Sequence, residues 1–153
     1  MQELNIPTYP IKIRKSGDKK EVFDTIRKKY VALTPEEEVR QRFILYLIHE
    51  KNYPASLISV EKGLKVNQMY KRFDAVVSDR KGFPAVLIEF KSPKIAITQK
   101  VFEQIAAYNL RLKVTYLIVS NGLKHYCCRI DHNTGAIVFL EDIPEYGDLA
   151  PED

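Results

Sequence analysis

The sequence predicts an α/β (α+β) domain in which a mixed central sheet is flanked by helices and preceded by an N-terminal hairpin. Three observations lead there. Residues 34–52 carry a wide apolar stripe at helical spacing. Two short apolar runs, AVLI at 85–88 and VTYLIVS at 114–120, have the profile of strands buried on both faces. A second helical pattern, residues 99–112, lies between those runs, and such alternation is the mark of layered sheet-and-helix folds.

The elements follow in order. Residues 1–10 contain prolines and are expected to be loosely ordered. IKIR at 11–14 and the start of EVFDTI at 21–26 flank a polar Ser-Gly-Asp turn, predicting a small hairpin rich in lysine and arginine. That basic cluster suits either DNA backbone or a solvated, edge-protecting role. Thr34, Pro35 and Glu37 stand at N-cap, N1 and N3 of a helix, with Glu37 placed to complete a capping box. Val39, Phe43 and Leu47 continue it until Tyr53-Pro54. ASLISV at 55–60 predicts a strand, or a short helix and then a strand, and residues 61–69 a polar loop. YKRFDAVV at 70–77 and the run at 85–88 form an antiparallel hairpin over a turn ending in Gly82. After Pro93 comes the second helix, with Gln104 and Tyr108 four apart on one face. The strand at 114–120, LKHYCCRI and residues 136–140 close the sheet across two turns.

At 153 residues, 45% hydrophobic and 29% charged, the chain reads as one domain over 1–153, large enough for a core without staples. It divides into an extension and hairpin (1–33), a core (34–140) and an acidic tail (141–153). No apolar run approaches a membrane span and no signal-peptide stretch begins the chain, so a cytoplasmic protein is expected. The cysteines, Cys127 and Cys128, are adjacent, which signals neither a zinc site nor a disulfide framework and places them on opposite faces of a strand. His49, His125 and His132 have no ligand spacing. Phosphate-binding glycine loops and a nucleophile elbow are lacking. The formal net charge is +4, and setting aside the six acids of the tail raises it to +10 over 1–140, compatible with a polyanionic partner.

The chemistry concentrates in FPAVLIEFKSP, residues 83–93. Glu89 and Lys91 point the same way at the end of a core strand, with Phe90 opposite. Pairing across the turn brings Asp74 toward Glu89. Two carboxylates supply hard oxygen ligands for Mg²⁺, or Mn²⁺, and the lysine orients or deprotonates water, or neutralises phosphate. Arg72, two before Asp74 on its strand face, suits a carboxylate or a phosphate.

Asp74 with Glu89-Phe90-Lys91 resembles the catalytic signature of the PD-(D/E)xK nuclease superfamily. Together with TPEEEVRQRFILYLIHEKNYP before it and QIAAY after it, the text is similar to the N-terminal nuclease domain of type I restriction enzyme R subunits. The resemblance implies a restriction-endonuclease-like αβββαβ core and metal-dependent cleavage of DNA. It implies Asp74 and Glu89 as metal ligands, Lys91 as a catalytic residue, and a further glutamate on the first core helix, Glu36 or Glu37, near the metal. Glu36 precedes Val39 and Phe43 by three and seven and so is expected to lean toward the buried face. Gln104 and Tyr108 match a QxxxY motif that acts near metal or DNA, and Glu61 matches a glutamate often found in these domains. The R subunit's motor cannot fit in this length, so a protein partner supplying targeting or motor activity is implied. The alternative is a nuclease fold kept as a non-catalytic DNA-binding or protein-interaction module.

Overall fold

The N-terminal segment folds as a three-stranded antiparallel sheet. β1 (Ile13–Ser16), β2 (Lys19–Asp24) and β3 (Lys29–Ala32) lie in the order β1-β2-β3. The structure, a computed structural model, describes residues 3–66 and 69–149, with the side chains of residues 66, 69, 71 and 108–111 outside that description. The third strand extends the expected hairpin. Buried Asp24 accepts the amides of Ile26 at 2.8 Å and Arg27 at 2.9 Å, and Lys28 takes a left-handed φ of 59°, so the chain reverses at once into β3.

α1 (Pro35–Glu50) starts where its cap predicts: Thr34 accepts the Glu37 amide through its hydroxyl at 3.0 Å. The Glu37 carboxylate turns to Arg40 and Gln41, where a capping box would send it back to Thr34. Val39, Phe43, Ile44 and Leu47 are fully buried. Each contributes roughly 1.5–3 kcal/mol by leaving water. The helix ends at Lys51, and Asn52 follows with φ 59°.

A 3-10 turn (Ala55–Leu57) leads into β4 (Ile58–Val66), which pairs antiparallel with β5 (Met69–Ser78). The expected loop at 61–69 is therefore largely strand. Gly63 makes room for this: a Cβ there would lie 1.7 Å from the Tyr70 hydroxyl. β5 pairs antiparallel with β6 (Pro84–Phe90), as the sequence predicts. α2 (Gln99–Leu112) then crosses to β7 (Tyr116–Ser120), parallel to β6. β8 (His125–Ile130) and β9 (Ile137–Leu140) complete a six-stranded mixed sheet in the order β4 to β9.

One core cluster lies between α1 and the sheet and includes Phe43, Val86, Ile88, Phe90 and Cys127. The other lies on the α2 side and includes Phe102, Leu87, Leu117 and Cys128. The two cysteines thus separate onto opposite faces, and both thiols are free. Leu4 and Ile6 pack into the first cluster, and the Asn5 amide donates to the Gly122 carbonyl at 2.8 Å. Residues 3–10 are thus anchored by their apolar side chains, against the expected looseness. Ile143, Tyr146 and Leu149 also join this cluster, so the acidic tail contributes to the core. Among the described residues, no helix is long and apolar enough to cross a membrane.

Candidate active site

The β5–β6 ladder runs as far as the pair Ala75–Ile88. One step further, the same register sets Asp74 opposite Glu89. The Asp74 carboxylate accepts the Phe90 amide at 2.7 Å, which fixes it at the end of the paired strands. Phe90 turns to the α1 side, its ring centroid 5.6 Å from that of Phe43. Glu89 is buried and by alternation shares the side of Leu87, facing α2. Lys91 follows directly, and its amide donates to the Ser120 carbonyl of β7 at 2.9 Å. Strands on both sides therefore hold the Glu-Phe-Lys backbone.

α1 brings its first turn to the same place. A cavity of about 200 Å³ is lined by Thr34, Glu36, Glu37 and Arg40 with Glu61, Asp74 and Phe90. The adjacent glutamates differ there. Glu36 is exposed and Glu37 buried, which reverses the expectation that Glu36 leans inward. The Glu37 carboxylate is gripped by Arg40, with one bond of 2.7 Å from Nε and a second from Nη2, and takes Gln41 Nε2 at 3.1 Å. Glu36 instead senses the site. Desolvation of its carboxylate at the cavity and the Asp74 carboxylate raise its pKa above the ordinary glutamate value, while Lys91 and Arg40 pull it down. Its charge is thus coupled to those of both Asp74 and Lys91.

The other charges form a continuous network. Glu61, at a left-handed φ of 52°, meets Arg27 at 3.1 Å, Arg40 at 3.5 Å and Arg72 at 3.4 Å. Arg72 also donates to the Glu61 carbonyl at 2.9 Å. Arg27 continues to Asp24 at 2.7 Å and to Glu37 at 3.7 Å. Burial works against the Arg40 charge, yet the carboxylates of Glu37, Glu61 and Asp74 raise its pKa above the ordinary arginine value.

The structure thus brings Asp74, Glu36 and Lys91 within one electrostatic neighbourhood, and Glu37, Glu61 and Arg72 into the ion network beside it. Gln104 is exposed on α2 and is not among the residues lining the cavity. Tyr108 lies on the same helix, and its side chain is outside the described residues. Among the described residues, no three His, Cys, Asp or Glu are grouped so as to hold a metal ion. Sequence reasoning missed Arg40 and Asp24, and took Arg27 only as part of the basic cluster. Arg40 had a signal, three residues after Glu37 on one helical face; Asp24 had none. A larger cavity of about 420 Å³ between α2 and β8–β9 is lined mostly by apolar side chains such as Phe102, Tyr126 and Phe139, and Glu103 is its one acid.

Residues 35–144 match the family model described as the N terminus of type I restriction enzyme R protein. The chain belongs to this family. As an R-protein N-terminal domain it carries Asp74, Glu89 and Lys91 inside the matched span, while β1–β3 precede it. Its fold is similar to a solved structure described as the fragment of a "putative HsdR subunit of a type I restriction enzyme from Vibrio vulnificus YJ016". That likeness has a TM-score of 0.53 at 19% identity, over 76% of this chain and 24% of the other. This R-protein N-terminal domain therefore spans about a quarter of that structure. No curated protein matches the chain.

Proposed function

We propose that this chain is a metal-dependent deoxyribonuclease of the PD-(D/E)xK type, hydrolysing phosphodiester bonds. The observation that carries the reading is that Glu36 of α1 and Asp74 of β5 line one cavity at the end of the β5–β6 pair together with Phe90, which Lys91 follows directly. Asp74 and Glu36 offer the hard oxygen ligands that suit a divalent cation such as Mg²⁺ or Mn²⁺, which usually keeps several waters beside one or two carboxylates. Asp74 and Glu36, which line one cavity, would hold it, while buried Glu89 faces the α2 side and stands outside that lining. When bound, such an ion offsets charge on phosphate oxygens and acidifies water.

The chain's own residues do the rest. The Phe90 amide keeps Asp74 in place. Lys91, on a backbone held from both sides, orients water or neutralises a phosphate oxygen. Arg40 takes up the charges of Glu37 and Glu61, which are thereby structural acids in this reading. Gln104 and Tyr108 on α2 are assigned a supporting contact to substrate. DNA is the polymer in this reading, targeting or motor activity would come from outside this domain, and the setting is cytoplasmic.

The test is cleavage of plasmid and linear DNA with Mg²⁺, Mn²⁺ or EDTA, comparing wild type with Asp74→Ala and Lys91→Ala. We expect metal-dependent cutting that falls by roughly 10²–10⁴-fold in Lys91→Ala, with an unchanged circular dichroism spectrum. Cutting at wild-type rate by the folded variants would refute the site. No cutting by folded wild type with either metal would favour a DNA-binding or protein-interaction module.

A further inference from the structure

We infer that the outer face of the β1–β3 sheet is a track for the phosphate backbone of DNA leading to the Asp74 cavity, an inference that rests on the nuclease reading above. The net positive charge of the chain resides in this unit. Residues 12–29 hold eight Lys or Arg against three Asp or Glu, a formal +5, whereas the whole chain carries +4. All other residues together therefore sum to −1.

The register sorts this charge onto one face. Val22 and Asp24 are fully buried and mark the inner side of β2. Phe23 pairs with Tyr30 and Arg14 with Glu21, so these four occupy the outer side. Lys19, two residues before Glu21, shares that side. Lys12 lies over the Phe23 ring at 5.5 Å and the Arg14 guanidinium over the Tyr30 ring at 3.9 Å. The two rings stand edge to face, 5.3 Å apart. The aromatic pair is thus covered by cations. It restrains two long side chains that would otherwise lose rotamer freedom on meeting a phosphate. Lys12, Arg14 and Lys19 stay exposed. Glu21 offsets only one of them, at 2.9 Å from Arg14.

The face is also fixed relative to the cavity. Tyr30 precedes Thr34, a cavity residue, by four positions, so at most about 14 Å of extended chain separates them. The Arg27 bridges from Asp24 to Glu37 and Glu61 tie the sheet to two more residues of the cavity. A polyanion held on the outer face therefore lies on the unit whose last strand leads directly to the cavity at Thr34.

The experiment measures binding of the full chain to a fluorescein-labelled 30-base-pair duplex by anisotropy, with Ca²⁺ replacing Mg²⁺, across a salt series. Wild type is compared with the triple variant Lys12→Gln, Arg14→Gln, Lys19→Gln. A control removes equal charge elsewhere, at the exposed Lys81, Lys113 and Lys124. Each lost phosphate contact flattens the log–log salt slope by roughly 0.9, so the triple variant's slope is shallower by about 2.7. Its affinity loss between roughly 50 and 200 mM salt is then about 40-fold smaller than that of wild type. The double variant Lys12→Gln, Lys19→Gln keeps the Arg14 contacts and should show about two thirds of the change. A triple variant that matches the control overturns the track, as does a wild type that does not bind the duplex. Wild type that cuts DNA while the triple variant cuts with unchanged KM likewise sinks the track and leaves the nuclease. Wild type that binds with the full slope, flattened in the triple variant, but never cuts DNA sinks the nuclease and leaves the track.

Discussion

Asp24→Ala tests how firmly the N-terminal sheet is fastened to the site. The Asp24 side chain is fully buried, accepting two backbone amides through one oxygen and Arg27 Nε at 2.7 Å through the other. Removing it leaves two amides and a guanidinium short of their acceptor. Breaking a buried pair by deleting one partner costs roughly 3–5 kcal/mol. Arg27 is 23% exposed and keeps Glu61, which places the cost near the lower end, about 3 kcal/mol. For a domain of this size that lowers Tm by about 6–12 °C. Urea unfolding at pH 7 followed by circular dichroism reads the change as a lower midpoint at constant slope. A midpoint shift worth less than about 0.5 kcal/mol would refute the fastening role.

The same residue carries a pH signature. Burial alone would raise the Asp24 pKa, but the Arg27 amide and guanidinium and the Ile26 amide lower it below the ordinary aspartate value. A lowered folded pKa gives stability that is complete above the unfolded value of about 3.9 and lost as pH falls through the folded one. Asp24→Asn should therefore be less stable at pH 7 and show a flatter acid limb below about pH 4, so the two curves converge there. Parallel curves would show that Asp24 does not titrate with folding.

Two further predictions concern backbone geometry. Lys113 is exposed with φ 58°, a conformation costing a non-glycine residue about 1–2 kcal/mol, so Lys113→Gly should stabilise by roughly 0.5–1 kcal/mol in a thermal melt, and a lower Tm would contradict this. Gly63→Ala places a Cβ 1.7 Å from the Tyr70 hydroxyl, but Tyr70 is 71% exposed and its ring can swing away. The cost should stay below about 1 kcal/mol and diminish in a Tyr70→Ala background, a coupling that a double-mutant cycle measures directly.

Much of the fold was legible because its signals are local. Thr34-Pro35 announces α1, and the uninterrupted apolar runs announce β6 and β7, because central strands covered on both faces need no polar alternation. β3 and the outer half of β4 escaped for the opposite reason. Lys62 and Lys65 are exposed, and β3 has both ends exposed, so neither stretch shows the apolar pattern of a core strand. The order Asp74, Glu89, Lys91 was also readable, as was the antiparallel pairing of β5 with β6. The division of labour between Glu36 and Glu37 was not. Neighbours on a helix differ by about 100° in direction, and which of them meets Arg40 depends on where β4 delivers Glu61.

That division bears on whether the end of the sheet serves stability alone. Burying an acid is costly unless a cation or hydrogen bonds compensate it, and this chain supplies arginines accordingly. Asp24 has Arg27, Glu37 has Arg40, and Glu61 has Arg27, Arg40 and Arg72. Among the described residues, neither Asp74 nor Glu36 forms an ion pair, although Arg40 lies close enough for their charges to act on each other. Desolvation and the Asp74 carboxylate raise the Glu36 pKa instead. An arrangement selected only for stability would separate these carboxylates or give them a guanidinium. Keeping the pair together beside Lys91 suits a cation from solution that completes the charge balance, which is what the proposed nuclease requires.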